Sequence, residues 1–421
     1  MNSAGRSAMP RPQSVFRTPG YGAYWTSYSV SSFGTYVTAL ALQVLVLVEL
    51  GGTAVEVGIV SSARWLPYLA LGLIAGVLVD RHRRRPVLIG ADLVRAGILV
   101  AIPVLHLAGA LSLVALLVLI VLFGTAALFG DAAQQSLLPL IVARKQLIAA
   151  HANTDKSDAV AQTLGPTFGG GLVTIVSAPL AMLVEAGARM VSAVAVSRIR
   201  VTEVPPRAED RNIWRELAEG VRWVYRHSTL APLALGTHAW FLANSMLTPV
   251  FVAFVMLGLG LSALEFGVSL AAAGVGALVG AFLSIRLGMR WGPGPVIIAC
   301  KVLMAVGCAT LALAPAVGSV LPSLIALVAG QAVIGLAMGI SNANEMGFRQ
   351  AVTPDNLQGR MNTTIRSINR AMIVVGAPLG GVLAVTLGYR PTLWILAGCF
   401  LAIGLYLTIS PFRGARHLEL D

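Results

Sequence analysis

Charge is scarce in this chain. Asp, Glu, Lys and Arg make up 11% of its 421 residues, while hydrophobic residues make up 57%. That balance excludes an ordinary water-soluble domain, which carries about a quarter charged residues. Cysteine is also rare: Cys300, Cys308 and Cys399 all lie in apolar runs without metal-ligand spacing. They read as small core residues, and neither a disulfide framework nor a metal centre is expected. Lysine accounts for only 3 of the 30 basic residues, a compositional bias with no functional content. Catalytic signatures are missing too. There is no phosphate-cradling G-x-x-x-x-G-K-[ST], no H-E-x-x-H and no G-x-S-x-G. ATP-driven transport and membrane-embedded hydrolysis therefore lack their parts, and no catalytic residue, metal or cofactor is expected.

What the chain has in abundance is hydrophobic length. Its mean hydropathy is +0.80, and apolar runs of about twenty residues, each able to cross a ~30 Å hydrocarbon layer, recur throughout. Twelve spans are expected, over 23–48, 57–79, 87–108, 111–133, 158–177, 179–197, 231–257, 264–287, 295–315, 320–342, 368–387 and 392–410. The fold class is all-α integral membrane. Residues 1–20 hold Pro10, Pro12, Pro19, Arg6, Arg11 and Arg17 and no apolar core with a cleavage site, so a cytoplasmic tail is expected there rather than a signal peptide.

The net charge of +12 is not spread as a nucleic-acid surface would be. If both termini are cytoplasmic, the tails and the loops after spans 2, 4, 6, 8 and 10 hold 25 of the 30 basic residues. This is the positive-inside pattern, and it leaves only Arg64, Arg95, Arg189, Lys301 and Arg390 elsewhere. The expected partners are the lipid bilayer and a small molecule, with no nucleic acid. Between the halves, Glu209 to His227 places Ile213, Leu217, Val221 and Val224 on one helical face. Arg211, Arg215, Glu219, Arg222 and Arg226 lie opposite, as in an interfacial helix that tethers the halves or docks a regulator. The segment Leu137 to Lys156 is too polar to span and too apolar for a free loop.

An internal repeat organises the whole. Thr53-Ala-Val-Glu56-Val-Gly58 matches Ser262-Ala-Leu-Glu265-Phe-Gly267 at an offset of 209, which also relates Arg81 to Arg290 and Pro86 to Pro295. Gly165-Pro-Thr-Phe-Gly169-Gly170 matches Gly376-Ala-Pro-Leu-Gly380-Gly381 at 211. Near-constant spacing implies two pseudo-symmetric six-helix bundles, the plan of transporters that rock two halves about a midplane site. The domains expected are a cytoplasmic tail 1–22, a bundle 23–200, a central loop with an amphipathic helix 201–230, a bundle 231–410 and a cytoplasmic tail 411–421.

At these residues the chain resembles the major facilitator superfamily, in particular its drug-efflux branch of macrolide-efflux and enterobactin-export proteins. The family loop motif G-x-x-x-D-R-x-G-R-R/K is matched by Gly76, Asp80, Arg81, Arg84 and Arg85, with Arg83 in place of its second glycine. Ala91-Asp92-Leu-Val-Arg95-Ala and the G-P-x-x-G-G of Gly165, Pro166, Gly169 and Gly170 are further matches. Two departures stand out. Met289 replaces the acid in the second copy of the loop motif, and span 4 lacks the arginine that many proton-coupled relatives carry.

The resemblance implies a conformational latch made by Gly76, Asp80, Arg81, Arg84 and Arg85, completed by Asp131 on span 4; Asp131 can alternatively carry a proton. A carboxylate at Asp80 can pair with Arg84 or Arg85 and cap a neighbouring helix. The span-5 glycines let a partner helix approach closely, and Pro166 bends the span. Charges inside the membrane are costly and are therefore site candidates: Asp92, Arg95, Glu185, Arg189, Lys301 and Glu345. Asp92 and Arg95 are spaced for pairing on one helix, as are Glu185 and Arg189. Lys301 has no evident partner, and Glu49 and Arg64 read as interface anchors. By the same resemblance, spans 1, 4, 7 and 10 line a substrate cavity through Ser32, Thr35, Gln43, Thr125, Thr237 and His238. Trp240, Phe241, Asn244, Thr248 and Gln331 complete it. His238 can titrate near neutrality or serve as a hydrogen-bonded helix residue. With no carboxylate at mid-depth on those spans, a neutral or amphipathic organic substrate is expected: a drug, an antibiotic or a siderophore-like metabolite. The expected protein is a monomeric exporter in the bacterial inner membrane that works by alternating access, with a proton gradient as its energy source. Uptake through the same fold and a lipid-handling or sensing role are the alternatives.

Overall fold

The computed structural model describes residues 14–201, 213–315 and 320–415, apart from the side chains at 73, 74, 76, 77, 80, 81, 213, 214, 216 and 217. Among these residues the chain is helical without a strand. It runs α1 (Tyr21–Val44), α2 (Ala54–Arg81), α3 (Arg84–Leu107), α4 (Leu113–Ile141), α5 (Leu147–Val176), the short α6 (Ala178–Ala181) and α7 (Leu183–Ser197). Then follow α8 (Ile213–Arg226), α9 (Leu230–Ala253), α10 (Ala263–Trp291), α11 (Pro293–Ala312), α12 (Val320–Val352), α13 (Asp355–Leu387) and α14 (Tyr389–Ile409). Eleven helices of the described residues are long and apolar enough to cross a membrane. The span expected over 57–79 is α2, itself 28 residues long. The chain is a multi-pass membrane protein.

Several helices outrun the expected spans at the end where α1 begins and α14 finishes (the tail end; the opposite is the far end). α4 continues to Ile141, a short 3-10 turn covers Arg144–Gln146, and α5 starts at Leu147. This accounts for the polar yet apolar character of 137–156: it is the projecting ends of two helices. The largest shift is in α13, which starts at Asp355 rather than near 368.

The repeat found in the sequence is carried through the local structure. Thr53 and Ser262 both cap a helix at the far end, and Glu56 and Glu265 return the bond to the cap backbone at 2.8 and 2.6 Å. Each such box satisfies two backbone donors and contributes about 1 kcal/mol. Both preceding helices end in a π turn, Leu45–Glu49 and Phe254–Gly258, and then a left-handed glycine, Gly51 or Gly260. Each of these pairs stands 209 apart. At the other offset, Ser177 occupies φ 92° where its counterpart Gly388 sits at 90°. The first half thus holds a side chain in a backbone region that favours glycine.

Helices α1–α7 pack chiefly among themselves, as do α9–α14, and the two groups meet along two seams: α2 with α13, and α5 with α10. Helix α8 lies against α13 and α9 at the tail end. Val224 is buried there in a cluster with Leu230, Ala234, Met361 and Ile365. Trp223 donates to Thr353 Oγ1 at 3.3 Å, the Tyr225 hydroxyl meets His238 Nε2 at 2.7 Å, and Glu219 pairs with Arg360. The helical face expected from the sequence is therefore corrected in part. Val221 is exposed, and Glu219, placed on the solvated side, is engaged by α13.

Gly220 sets the closeness of this docking. A Cβ there would lie 2.6 Å from Thr364 Oγ1 and 2.8 Å from the Arg360 carbonyl oxygen. In Gly220→Val the clash should raise the undocked population of α8 on the order of ten- to a hundred-fold. Limited trypsin digestion in detergent reads this as faster cleavage at Arg215 and Arg222; an unchanged rate would show that α8 is not held by this contact.

Candidate functional site

Three features of the helix array bear on function: a buried ionic cluster, a cavity and the two seams. The cluster joins α1, α3, α4 and α7. Arg189 bonds Glu185 Oε1 at 2.7 Å, donates to Thr35 Oγ1 at 2.8 Å and reaches Asp92 Oδ1 at 3.4 Å. Asp92 also accepts from Ser192 Oγ at 2.5 Å, and Ser192 touches Ser27 at 2.6 Å. Arg95 lies 3.7 Å from Glu185 and 3.8 Å from Asp131, with Phe123 under its guanidinium at 4.9 Å. Asp92 and Glu185 are 0% and 1% exposed, so each carboxylate relies on these cations and donors for solvation. The expected pairing is thus corrected on one helix. Glu185 and Arg189 do pair along α7, whereas Asp92 turns to Arg189 and Arg95 turns to the acids of α7 and α4.

The cavity lies between the two helix groups. Its larger part, about 600 Å³, lies toward the tail end against α9, α11, α12 and α13, with Trp65 of α2 on the other wall. A smaller part of about 260 Å³ continues toward the far end past Gln43, Arg64, Asn244 and Thr248. Asn342, Met346 and Arg366 line the larger part and are exposed, so it opens at the tail end.

The seams close the opposite end. On α10, a Cβ built at Gly267 would overlap the Pro166 carbonyl oxygen of α5 and lie 2.9 Å from its carbon. Gly170 of α5 meets the Ala263 backbone in return. The other seam repeats the arrangement: Gly58 against Ala377, and Gly381 against Ala54 with Val55 Cα at 2.7 Å. Ser62 adds a bond to the Val374 carbonyl at 2.8 Å. Backbone-to-backbone contact of this kind needs glycine on one side, because lipid offers helices no hydrophobic drive to associate.

A family model described as transmembrane secretion effector matches residues 9–417 of the chain. The chain belongs to this family. As a member of it, the protein is a major facilitator superfamily transporter of the drug-efflux branch. Multidrug efflux pump Tap of Mycolicibacterium fortuitum is 29% identical over 402 residues, covering 92% of this chain and 94% of Tap. Macrolide efflux protein A of Streptococcus pyogenes is 23% identical over 399 residues, covering 94% and 96%. Among solved structures, a bacterial homologue of the iron transporter ferroportin in the inward-facing state superposes with a TM-score of 0.72. It is 15% identical and covers 92% of this chain and 97% of that one. The nucleoside transporter NupG gives 0.71 at 12% identity, covering 92% and 97%.

Within this family member, the loop-motif residues are placed unevenly. Gly76, Asp80 and Arg81 fall on the last turns of α2, and their side chains lie outside the described residues. Arg84 opens α3, and Arg85 donates to the Val196 carbonyl at 3.2 Å and to that of Ser197, at the end of α7. Asp131 lies more than two turns inside α4 and takes its described contacts from Arg95 and from the Tyr68 hydroxyl at 2.6 Å. Arg370 of the other helix group stacks on the Tyr68 ring at 4.4 Å, so Asp131 reaches across the seam through a tyrosine. Of the far-end anchors, Glu49 lies 3.7 Å from His106.

The expected cavity set divides. Gln43, Thr237, Trp240, Phe241, Asn244 and Thr248 line it. Thr35 belongs to the ionic cluster, Thr125 bonds its own helix at Val121, and Gln331 is buried in α12. Ser32 is half-buried and His238 buried; neither is among the lining residues. His238 is held on both nitrogens, by Tyr225 and by Asn369 Oδ1 at 2.7 Å.

Charged residues outside the expected lining set also face the cavity. Glu345 lines it, accepts from Thr237 Oγ1 at 2.7 Å and pairs with Arg349. Lys301, Arg366 and Arg370 line it as well. The positive-inside count assigns the last two to the loop after span 10. Their spacing of four, in register with Ile373 and Ala377, was the signal that the helix starts earlier and turns them inward.

Proposed function

We propose that this protein exports an amphipathic small organic molecule by alternating access. The arrangement of α1–α7 and α9–α14 supports two six-helix bundles with α2 as the twelfth span, and the arginine-rich tail end supports placing both termini in the cytoplasm. The observation that carries the reading is the pairing of a cavity open at the tail end with two glycine seams closing the far end. In this state the site faces the compartment from which an exporter loads. The relatives whose names describe multidrug and macrolide efflux support the direction.

The cycle follows from the same parts. Substrate enters between the bundles at the tail end and settles against Trp65, Trp240 and Phe241. The seams then part at the far end while the tail ends converge, bringing the loop motif of Gly76, Asp80, Arg81, Arg84 and Arg85 into use as a latch. Proton antiport supplies the energy. Two carboxylates are positioned to exchange a proton with the cavity: Glu345 on its wall and the half-exposed Asp131 behind Tyr68. The protein acts as a monomer.

Everted membrane vesicles test this directly. With an acid interior, vesicles carrying the wild type should accumulate a transported dye, and an uncoupler should release it. Asp80→Asn at equal abundance should cut the initial rate by roughly tenfold or more, the loss of a charge-assisted pair. Accumulation driven only by an alkaline interior would indicate uptake instead.

A further inference from the structure

We infer that the exported molecule is an organic anion: an apolar, aromatic-bearing body with a carboxylate, sulfonate or similar acidic group. The inference rests on the export reading above and narrows its substrate class. It starts from the charges of the larger cavity. Lys301, Arg349, Arg366 and Arg370 line it, against one carboxylate, Glu345. Arg349 takes that carboxylate. Lys301 and Arg366 have no carboxylate within ion-pair distance among the described residues, and Arg370 rests on the Tyr68 ring. The smaller part adds Arg64, which lies over Phe123 at 5.7 Å.

Lys301 is the most telling of these. It is 2% exposed, and its described neighbour is the face of Trp240, 5.3 Å from the ring centre. An ammonium so far from bulk water costs free energy unless an anion meets it. The repeat shows how differently the other half treats the same place. At the 209 offset, Lys301 corresponds to Asp92 and Met304 to Arg95; at 211, Leu396 and Phe400 correspond to Glu185 and Arg189. The first half surrounds its buried charges with partners of opposite sign. The second half puts a cation where the first has an acid, replaces the other three charges by uncharged side chains and leaves Lys301 on a cavity wall, with Glu345 as an acid within electrostatic reach.

The rest of the wall fits the body of such a ligand. Trp65, Trp240 and Phe241 give flat apolar surface, and Met304, Met338 and Met346 give adaptable thioether surface that suits varied shapes. An acidic group near Lys301 and Arg366 would leave the aromatic body against these side chains. Carrying an anion outward is also favoured by an interior-negative membrane potential.

The test uses three probes with one naphthyl body: 2-naphthylacetate, its neutral amide, and 2-(2-naphthyl)ethylammonium. Binding to the purified full-length protein is read by quenching of tryptophan fluorescence, and transport by uptake into everted vesicles. The anion should bind at least about tenfold more tightly than the amide, the value of a charged hydrogen bond in a shielded site. Added salt should weaken that preference, and the ammonium should bind least. Arg366→Gln, at an exposed position, and Lys301→Gln should each lower affinity for the anion far more than for the amide, removing most of the anion preference. Lys301→Arg should restore it, which a merely structural lysine would not. Equal binding of the three probes, a preference for the ammonium, or an anion preference untouched in both glutamine variants would overturn the inference. Uptake of the amide or the ammonium but not the anion would also overturn it, with export itself intact. Anion-selective binding lost in the variants, without uptake of any probe, would support it and count against export alone.

Discussion

Gly267→Val should abolish export while leaving the protein folded and inserted. The new side chain would start from a Cβ that already overlaps the Pro166 carbonyl, with Thr167 Cα at 3.2 Å. Those are backbone atoms of a facing helix, so no rotamer change can make room. Within a fixed core, such overpacking costs about 1–3 kcal/mol. Here the two helices belong to groups that meet only along seams, and separating them at the far end relieves the clash. The closed-far-end state is thus penalised against its alternative, and a cycle that must pass through both slows by roughly ten- to a hundred-fold. Gly58→Val should behave alike, because Gly58 meets Ala377 in the second seam at the same place in the repeat. Gly97→Val and Gly398→Val are the controls, since a Cβ at either would meet nothing within 4 Å. Export that survives Gly267→Val unchanged would mean that the seams do not work as a gate.

Arg189→Met should be the most destabilising single change in the first half. It leaves Glu185 and Asp92, both essentially without water, to share Arg95, and it removes the donor to Thr35. Breaking a buried pair from one side costs about 3–5 kcal/mol, a large part of the ~5–15 kcal/mol that holds a typical domain together. A marked fall in folded protein and in the midpoint of thermal unfolding in detergent is expected. Arg189→Lys should recover only part, because one ammonium cannot match the guanidinium fork that meets Glu185, Thr35 and Asp92 together. Adding Glu185→Gln to Arg189→Met should restore stability relative to the single change, since one orphaned charge is then gone. A single variant as stable as the wild type would show that the cluster is not structural.

Much of this architecture was written in the sequence because two stretches of it repeat, each without gaps, at offsets of 209 and 211. The Thr53–Gly58 and Ser262–Gly267 matches became paired capping boxes and paired seam contacts, whereas of the span-5 glycines only Gly170 meets α10, and Gly165 and Gly169 pack on Tyr36 and Val37 of α1. What the sequence could not show was where charges find each other. Asp92 and Arg95 are spaced for a local bond, yet their side chains leave α3 toward different neighbours, and only packing decides that choice. Arg366 and Arg370 were hidden by their own explanation. Positive residues beside an apolar run satisfy the inside rule so well that the helical register pointing them into the cavity goes unnoticed. His238 shows the reverse: a polar residue on a cavity-lining helix, spent on holding α8.

The most direct test of export through this gate is intracellular accumulation in a bacterial host stripped of its own efflux pumps. Empty host, wild type and Gly267→Val would be compared at equal membrane abundance, across a panel of antibiotics, dyes and acidic aromatic metabolites. The wild type should lower accumulation of some compounds severalfold, and Gly267→Val should match the empty host. If the wild type never differs from the empty host, or Gly267→Val exports as well as the wild type, the gate and the export assigned to it are wrong.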